Sequence, residues 1–218
     1  MNYDSVPLRD FKELNDWETV IFVYQSALKQ VETKIDILNG EFQHRHKYNP
    51  IEHVKSRIKT PESIVKKLKR HGYESSIENM VRYVNDIAGI RISCSFTSDI
   101  YLIADMISKQ NDLTILARRD YMKNPKKSGY RSYHMLVATP FFLADSIIDT
   151  KVEIQIRTVA QDFWATLEHK MHYKFEGDGP DYITKELREC ARYVAELDTR
   201  MEELNNEIQK YGKLSDKK

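Results

Sequence analysis

Cysteine is nearly absent: Cys94 and Cys190 are the only two in 218 residues. Two distant cysteines are too few for a disulfide framework or a zinc ligand set, and they predict a reducing, cytoplasmic setting. No apolar run approaches the roughly 18 residues that span a bilayer, so no membrane partner is expected. The start, MNYDSVPLRDF, lacks the basic and apolar stretches of a signal peptide. Glycine and proline are scarce, at seven and six copies, so the few present mark joints. An excess of charge of one sign is missing too: 34 Lys and Arg face 33 Asp and Glu, a formal +1. That balance argues against holding nucleic acid by bulk charge, and leaves local basic patches to be judged separately. What is present is 41% hydrophobic and 31% charged residues, the composition of a globular chain with a wet surface. The length suits one domain or at most two small ones.

The first periodic segment runs from about Trp17 to Leu38. Val20, Ile21, Tyr24, Leu28, Val31, Ile35 and Leu38 share a helical stripe, and Asn15 or Asp16 can cap its start. Asn49-Pro50 breaks the chain, and a basic stretch follows from His53 to His71. Pro61 suits the first turn of a helix over 63–70, and Gly72 suits its end. Ile77, Met80, Val81 and Val84 predict another short helix. The texture changes at Ile87, where 87–94 alternates with β-branched residues as a strand does. Ile100, Ile103, Ala104 and Ile107 predict a helix, and 113–116, 132–139 and 151–157 read as three more strands. Glu153-Ile154-Gln155-Ile156-Arg157 alternates strictly, polar on one face and isoleucine on the other. Helical periodicity returns from Val159 to about Tyr173, and Gly177-Asp178-Gly179-Pro180 ends it. A last helix covers about Tyr182 to Tyr211, where Leu187, Cys190, Val194, Leu197, Met201, Leu204 and Ile208 form a heptad seam. Such a seam lies either on its own domain's core or against another helix or subunit. The pattern is one α+β domain with helices added at both ends.

Three clusters carry chemistry. Lys55, Arg57, Lys59, Lys66, Lys67, Lys69 and Arg70 crowd one segment in which Glu62 is the only acid. Ser63, Lys66, Lys67 and Arg70 lie on neighbouring helical turns, so several cations share one side. This is either a solvated helix face or a cradle for a polyanion such as a nucleoside triphosphate. Next, Asp86 stands just before one strand and Glu153 lies within another. Two carboxylates converging from different strands can hold Mg2+ through oxygen, leaving places for waters and phosphates. Taken singly, either acid is an ordinary salt-bridge partner. Arg91 follows Asp86, and Gln155 and Arg157 share the face of Glu153; burying such a face is costly unless it lines a polar site. Finally, segment 118–134 interleaves Arg118, Arg119, Lys126 and Arg131 with Tyr121, Tyr130 and Tyr133, and Asn124-Pro125 and Ser128-Gly129 make it a loop. Cations for phosphates beside aromatic faces for a base suit a nucleotide. A solvated basic hairpin explains the lysines but not Tyr130, Tyr133 and His134 gathered after a glycine.

Asp86-Ile87-Ala88-Gly89-Ile90-Arg91, Gly129-Tyr130-Arg131-Ser132-Tyr133-His134 and Glu153-Ile154-Gln155-Ile156-Arg157-Thr158 resemble the three hallmark motifs of the alarmone synthetases of the RelA/SpoT family, in order and spacing. Phe163-Trp164-Ala165-Thr166-Leu167-Glu168-His169 continues the match. Over roughly Asn49 to Phe175 the chain is similar to the stand-alone small alarmone synthetases. The resemblance implies a single synthetase domain with a mixed β-sheet and flanking helices, related to nucleotidyltransferases. Its core would cover about 49–175, with long helices at 15–48 and 181–211 available for contacts in a homo-oligomer, commonly a tetramer. The implied activity moves pyrophosphate from ATP to the 3'-hydroxyl of GDP or GTP, releasing AMP and making (p)ppGpp for the stringent response. By position, Asp86 would hold Mg2+, and Glu153 would help with the metal and act as general base. Arg57 and Arg91 would sandwich the adenine, and Lys59, Ser63 and Lys67 would hold the ATP phosphates. Tyr130 would stack on the guanine. Arg119, Lys126 and His134 would lie near the acceptor's phosphates or the transferred group, and Gln155 would support the acceptor side. Such transfer needs alignment and charge neutralisation more than covalent catalysis.

Two stretches depart from the family pattern. Some relatives carry a Phe-x-Thr-Gly-like stretch at an alarmone site between subunits; His53-Val54-Lys55-Ser56 stands here, which argues against activation by product. Asp162 stands where close relatives can have asparagine, so base or acceptor preference can differ. None of the seven histidines is followed by aspartate, the metal pair of the hydrolase domain in long bifunctional relatives. A synthetase without hydrolase or ribosome-binding domains, controlled by abundance or small ligands, is expected. Two other readings stand beside this one. A nucleotidyltransferase of the same fold group pairs its acids as Asp-x-Asp, and Asp86 has no such neighbour. A nucleic-acid-binding module built on the basic segments would have Asp86 and Glu153 repelling phosphate.

Overall fold

The computed structural model describes residues 16–174 and 181–215. The turn expected at Gly177–Pro180 and the candidate cap Asn15 lie outside the described residues. In chain order the elements are α1 (Trp17–His46), β1 (Ile51–Ile58), α2 (Pro61–Arg70), α3 (Ile77–Tyr83), β2 (Ala88–Cys94), α4 (Thr97–Ser108), β3 (Thr114–Asp120), β4 (Tyr133–Phe142), β5 (Ile147–Thr158), α5 (Val159–Lys174) and α6 (Asp181–Ser215). The strands form one mixed sheet in the order β1-β2-β5-β4-β3. Neighbours β2 and β5 run parallel and the other pairs run antiparallel. Among the described residues no helix is long and apolar enough to cross a membrane.

The helix ends follow their capping residues. Asp16 accepts from the Thr19 N–H at 2.7 Å and starts α1. That helix runs past its expected end at Leu38, because 39–46 holds no proline, and Lys47 stops it in a left-handed conformation at φ 54°. Thr60 caps α2 and Pro61 fills its first turn, where a missing N–H costs nothing. Gly72, at φ 78°, turns the chain out of that helix.

β1 adds a strand where the sequence marks only a basic stretch after the Asn49-Pro50 break. It is an edge strand whose residues are mostly exposed on both faces, so no apolar alternation marks it in the sequence. It exists because β2 offers a ladder, from Ile58 opposite Ala88 to Ile51 opposite Cys94. The sheet therefore has five strands rather than four.

Alternation in the strands separates the two faces of the sheet. Ile90, Ile92, Ile154 and Ile156 are buried in one core with Val20, Tyr24, Val31 and Ile35 of α1 and Ile100, Ile103 and Ile107 of α4. Each such side chain contributes about 1.5–3 kcal/mol by leaving water. α1 is thus part of the core and not only an outer flank. On the opposite face, Arg57, Gly89 and Glu153 fall in one register row, and Arg91, Gln155, His134 and Arg119 fall in the next. Gly89 puts no side chain between Arg57 and Glu153, which leaves the floor open there.

α6 docks through small and polar residues. Ala191 and Val194 pack with Trp164 and Ala165 of α5. Asp198 accepts from Thr158 Oγ1 at 2.8 Å and from Gln161 Nε2 at 2.9 Å. Glu202 accepts from the Ser98 N–H in the first turn of α4. The heptad seam is divided: Val194 turns inward, whereas Cys190, Leu197, Met201, Leu204 and Ile208 are exposed.

Candidate active site

A cleft of about 670 Å³ opens over the polar face of the sheet. Arg57, Lys67, Asp86, Arg91, Arg119, Lys126, Tyr130, His134, Glu153 and Gln155 all line it. These residues come from β1, α2, β2, β3, β4, β5 and the loops between them, so only the sheet brings them together. Lys59 joins through an ion pair with Asp86. Ser63 is not brought in: it is exposed in the first turn of α2, where its Oγ accepts from Thr60 Oγ1 at 3.0 Å.

Asp86 sits in the short connection between α3 and β2. Its Oδ2 accepts from Lys59 Nζ at 2.8 Å and its Oδ1 from Lys67 Nζ at 2.7 Å. Burial pushes the Asp86 carboxyl up, but the two lysines outweigh it and the net direction is down. Glu153 shows the same contest. Burial raises it, His134 and then Gln155 lower it, and it too ends below the ordinary glutamate value. His134 Nδ1 lies 3.5 Å from Glu153 Oε1, and Gln155 Nε2 donates to Oε2 at 2.8 Å. Two ionised carboxylates in one cleft are a hard oxygen donor set that fits Mg2+. Among the described residues no group of three or more His, Cys, Asp or Glu gathers. Phosphate oxygens and water would complete such a shell.

Beside Glu153 lies an aromatic and cationic wall. The Tyr130 hydroxyl meets His134 Nε2 at 2.9 Å and accepts from Arg157 Nη2 at 3.1 Å. Lys126 Nζ lies 4.6 Å and the Arg157 guanidinium 5.3 Å from the Tyr130 ring centroid. Tyr121 packs edge-on against both Tyr130 and His134. Arg157 is buried, and Asp162 Oδ1 takes both its Nη1 at 3.3 Å and Arg91 Nη1 at 3.4 Å. Among the described residues, the buried Nε atoms of Arg91 and Arg157 meet no hydrogen-bond partner. Orphaned donors of this kind are costly and are usually met by water, an ion or a ligand.

Several residues in or beside the cleft carry no individual role in the sequence-based assignment. Arg157 was marked by the alternation that shares Glu153's face, and its burial reveals its importance. Asp162, five residues on, becomes its partner only when α5 folds back on β5. Tyr121, Arg118, His169 and Lys170 also line the cleft. Asn85 does so as well, and no local pattern distinguishes it.

A mixed sheet carrying two ionised acids, a ring of cations and a tyrosine among them defines a nucleotide-binding transferase site. The family described as a region found in RelA/SpoT proteins matches residues 56–178. GTP pyrophosphokinase YwaC of Bacillus subtilis is 44% identical over 195 residues, 89% of this chain and 93% of that protein. The crystal structure of small alarmone synthetase 2 of Bacillus subtilis matches with a TM-score of 0.81 at 43% identity, covering 88% of this chain and 100% of that one. Small alarmone synthetase 1 of the same organism, bound to its product pppGpp, matches with a TM-score of 0.82 at 34% identity, covering 88% of this chain and 98% of that one. The chain belongs to the RelA/SpoT family and, within it, to the small alarmone synthetases.

Proposed function

We propose that the chain is a GTP/GDP pyrophosphokinase that moves pyrophosphate from ATP to the 3'-hydroxyl of GDP or GTP, yielding (p)ppGpp and AMP. The carrying observation is that Asp86 and Glu153 line one cleft, with Lys59 and Lys67 on the first and His134, bonded to Tyr130, beside the second. The 3'-oxygen attacks the β-phosphorus, the bond to the bridging α–β oxygen breaks, and AMP leaves with that electron pair. Glu153 takes the hydroxyl proton; its lowered pKa keeps it ionised and ready at neutral pH. Asp86 and Glu153 would hold Mg2+, which supplies charge neutralisation at the phosphates. Lys59 and Lys67 receive the ATP phosphates, whereas Ser63, which lies outside the cleft, is left without that role, and Arg57 and Arg91 flank the adenine. Tyr130 stacks on the guanine, with Arg119, Lys126, His134 and Gln155 around the acceptor. Arg157, held by Asp162, keeps the Tyr130 hydroxyl in place.

The exposed stripe Leu197, Met201, Leu204 and Ile208 supports packing against another copy in a homotetramer. Two free cysteines support a reducing cytoplasm. The test is incubation with ATP, Mg2+ and GDP or GTP, with products separated by ion exchange. AMP and a guanosine 3'-diphosphate are expected in equal amounts. Release of free pyrophosphate would instead make it a nucleotidyltransferase, and salt-sensitive RNA binding without turnover would make it a nucleic-acid module.

A further inference from the structure

Lys151 is a buried cation that the transfer chemistry does not use. It is 5% exposed and lies on β5 two residues before Glu153, on the same face. Its ammonium donates to the Arg82 carbonyl at 3.2 Å and to Asn85 Oδ1 at 2.6 Å, and neither partner is a carboxylate. Burying an ammonium against neutral acceptors is expensive, and a methionine would fill the same space without that cost. The position of those acceptors supplies a reason for the lysine. The Arg82 carbonyl ends α3, where carbonyls lack helical partners. Asn85 lines the cleft and immediately precedes Asp86. Residues 84–86 belong to neither helix nor strand, so no ladder holds them. Lys151 itself is not among the lining residues, so it acts through its neighbours.

We propose that Lys151 is a positioning residue: it ties the segment presenting Asp86 to the strand presenting Glu153, and so sets the spacing of the two acids. The inference rests on the pyrophosphate transfer described above. Its test compares the full-length chain with K151M, which keeps the volume but removes the donors, and with N85A, which removes one acceptor. AMP formation gives kcat and the KM for GDP. Electron paramagnetic resonance of Mn2+, titrated in the presence of α,β-methylene-ATP, gives metal affinity independently of turnover. In K151M, kcat and Mn2+ affinity should each fall by about 10- to 100-fold, the usual effect of removing an outer-shell partner, with the KM for GDP unchanged. N85A should move both in the same direction by less. A folded K151M with wild-type kcat and Mn2+ affinity overturns the proposal. If K151M does not fold, N85A decides: wild-type values overturn it, and a kcat loss at unchanged GDP KM supports it. A wild-type chain that makes no AMP sinks the transfer reaction, whereas the Mn2+ titration still reports on Lys151.

Discussion

Glu153 meets opposed demands: burial favours its neutral form, and His134 and Gln155 restore its charge. A base so held is ionised at neutral pH and so able to accept a proton there. Glu153→Gln keeps an oxygen for the Gln155 donor and removes the proton acceptor. Its kcat should fall by about 10²–10⁴-fold, the range for a lost general base, while calorimetry still detects GDP binding. Near-normal turnover would remove Glu153 from the mechanism. Tyr130→Ala removes the stacking surface. Base stacking is worth about 1–3 kcal/mol, so GDP affinity should drop by roughly 5- to 150-fold with ATP affinity unchanged. An equal loss for both nucleotides would place the ring elsewhere. At this scale most of the site was legible. Asp86, Arg91, Tyr130, His134, Glu153 and Gln155 sit in three short motifs, and all line the cleft. The pairings were not legible. Nothing local tells that Lys59 and Lys67 both close on Asp86, or that Asp162 answers the buried Arg157.

Among the elements, the loop before β4 and the helix α6 constrain each other. Gly129 has φ 91°, and a Cβ there would come 2.5 Å from Ala191 Cβ on α6. Gly129→Ala therefore combines left-handed strain of about 1–3 kcal/mol with a clash. It should lower the melting temperature and raise the KM for GDP, with the KM for ATP unchanged. Adding Ala191→Gly relieves the clash but not the strain, so the KM for GDP should recover in part. A folded Gly129→Ala chain with wild-type GDP kinetics would show that α6 does not set the Tyr130 loop. The elements differ in how plainly the chain announced them. β5 was plain because a strand buried on one face must alternate. β1 was hidden because an edge strand exposed on both faces has no pattern to display.

For the whole molecule, the net charge of +1 is a sum over unlike parts. Cations surround the cleft, and Glu186, Glu189, Glu196, Glu202, Glu203 and Glu207 make α6 acidic. That helix carries its apolar stripe on the side away from its own domain. Leu197→Glu together with Leu204→Lys should convert a sedimenting oligomer to monomer without touching a cleft residue. Wild-type chain that sediments only as monomer would sink the proposed assembly. The sequence by itself determined the ends of α2, the β5 alternation and the order of the motifs, because each is written in residues a few positions apart. Tertiary structure alone decided the β1–β2 ladder, the closure of Lys59 and Lys67 on Asp86, the Lys151 tie and the outward turn of the α6 seam. Those depend on segments far apart in the chain meeting across one sheet, and a local pattern carries no record of its distant partner.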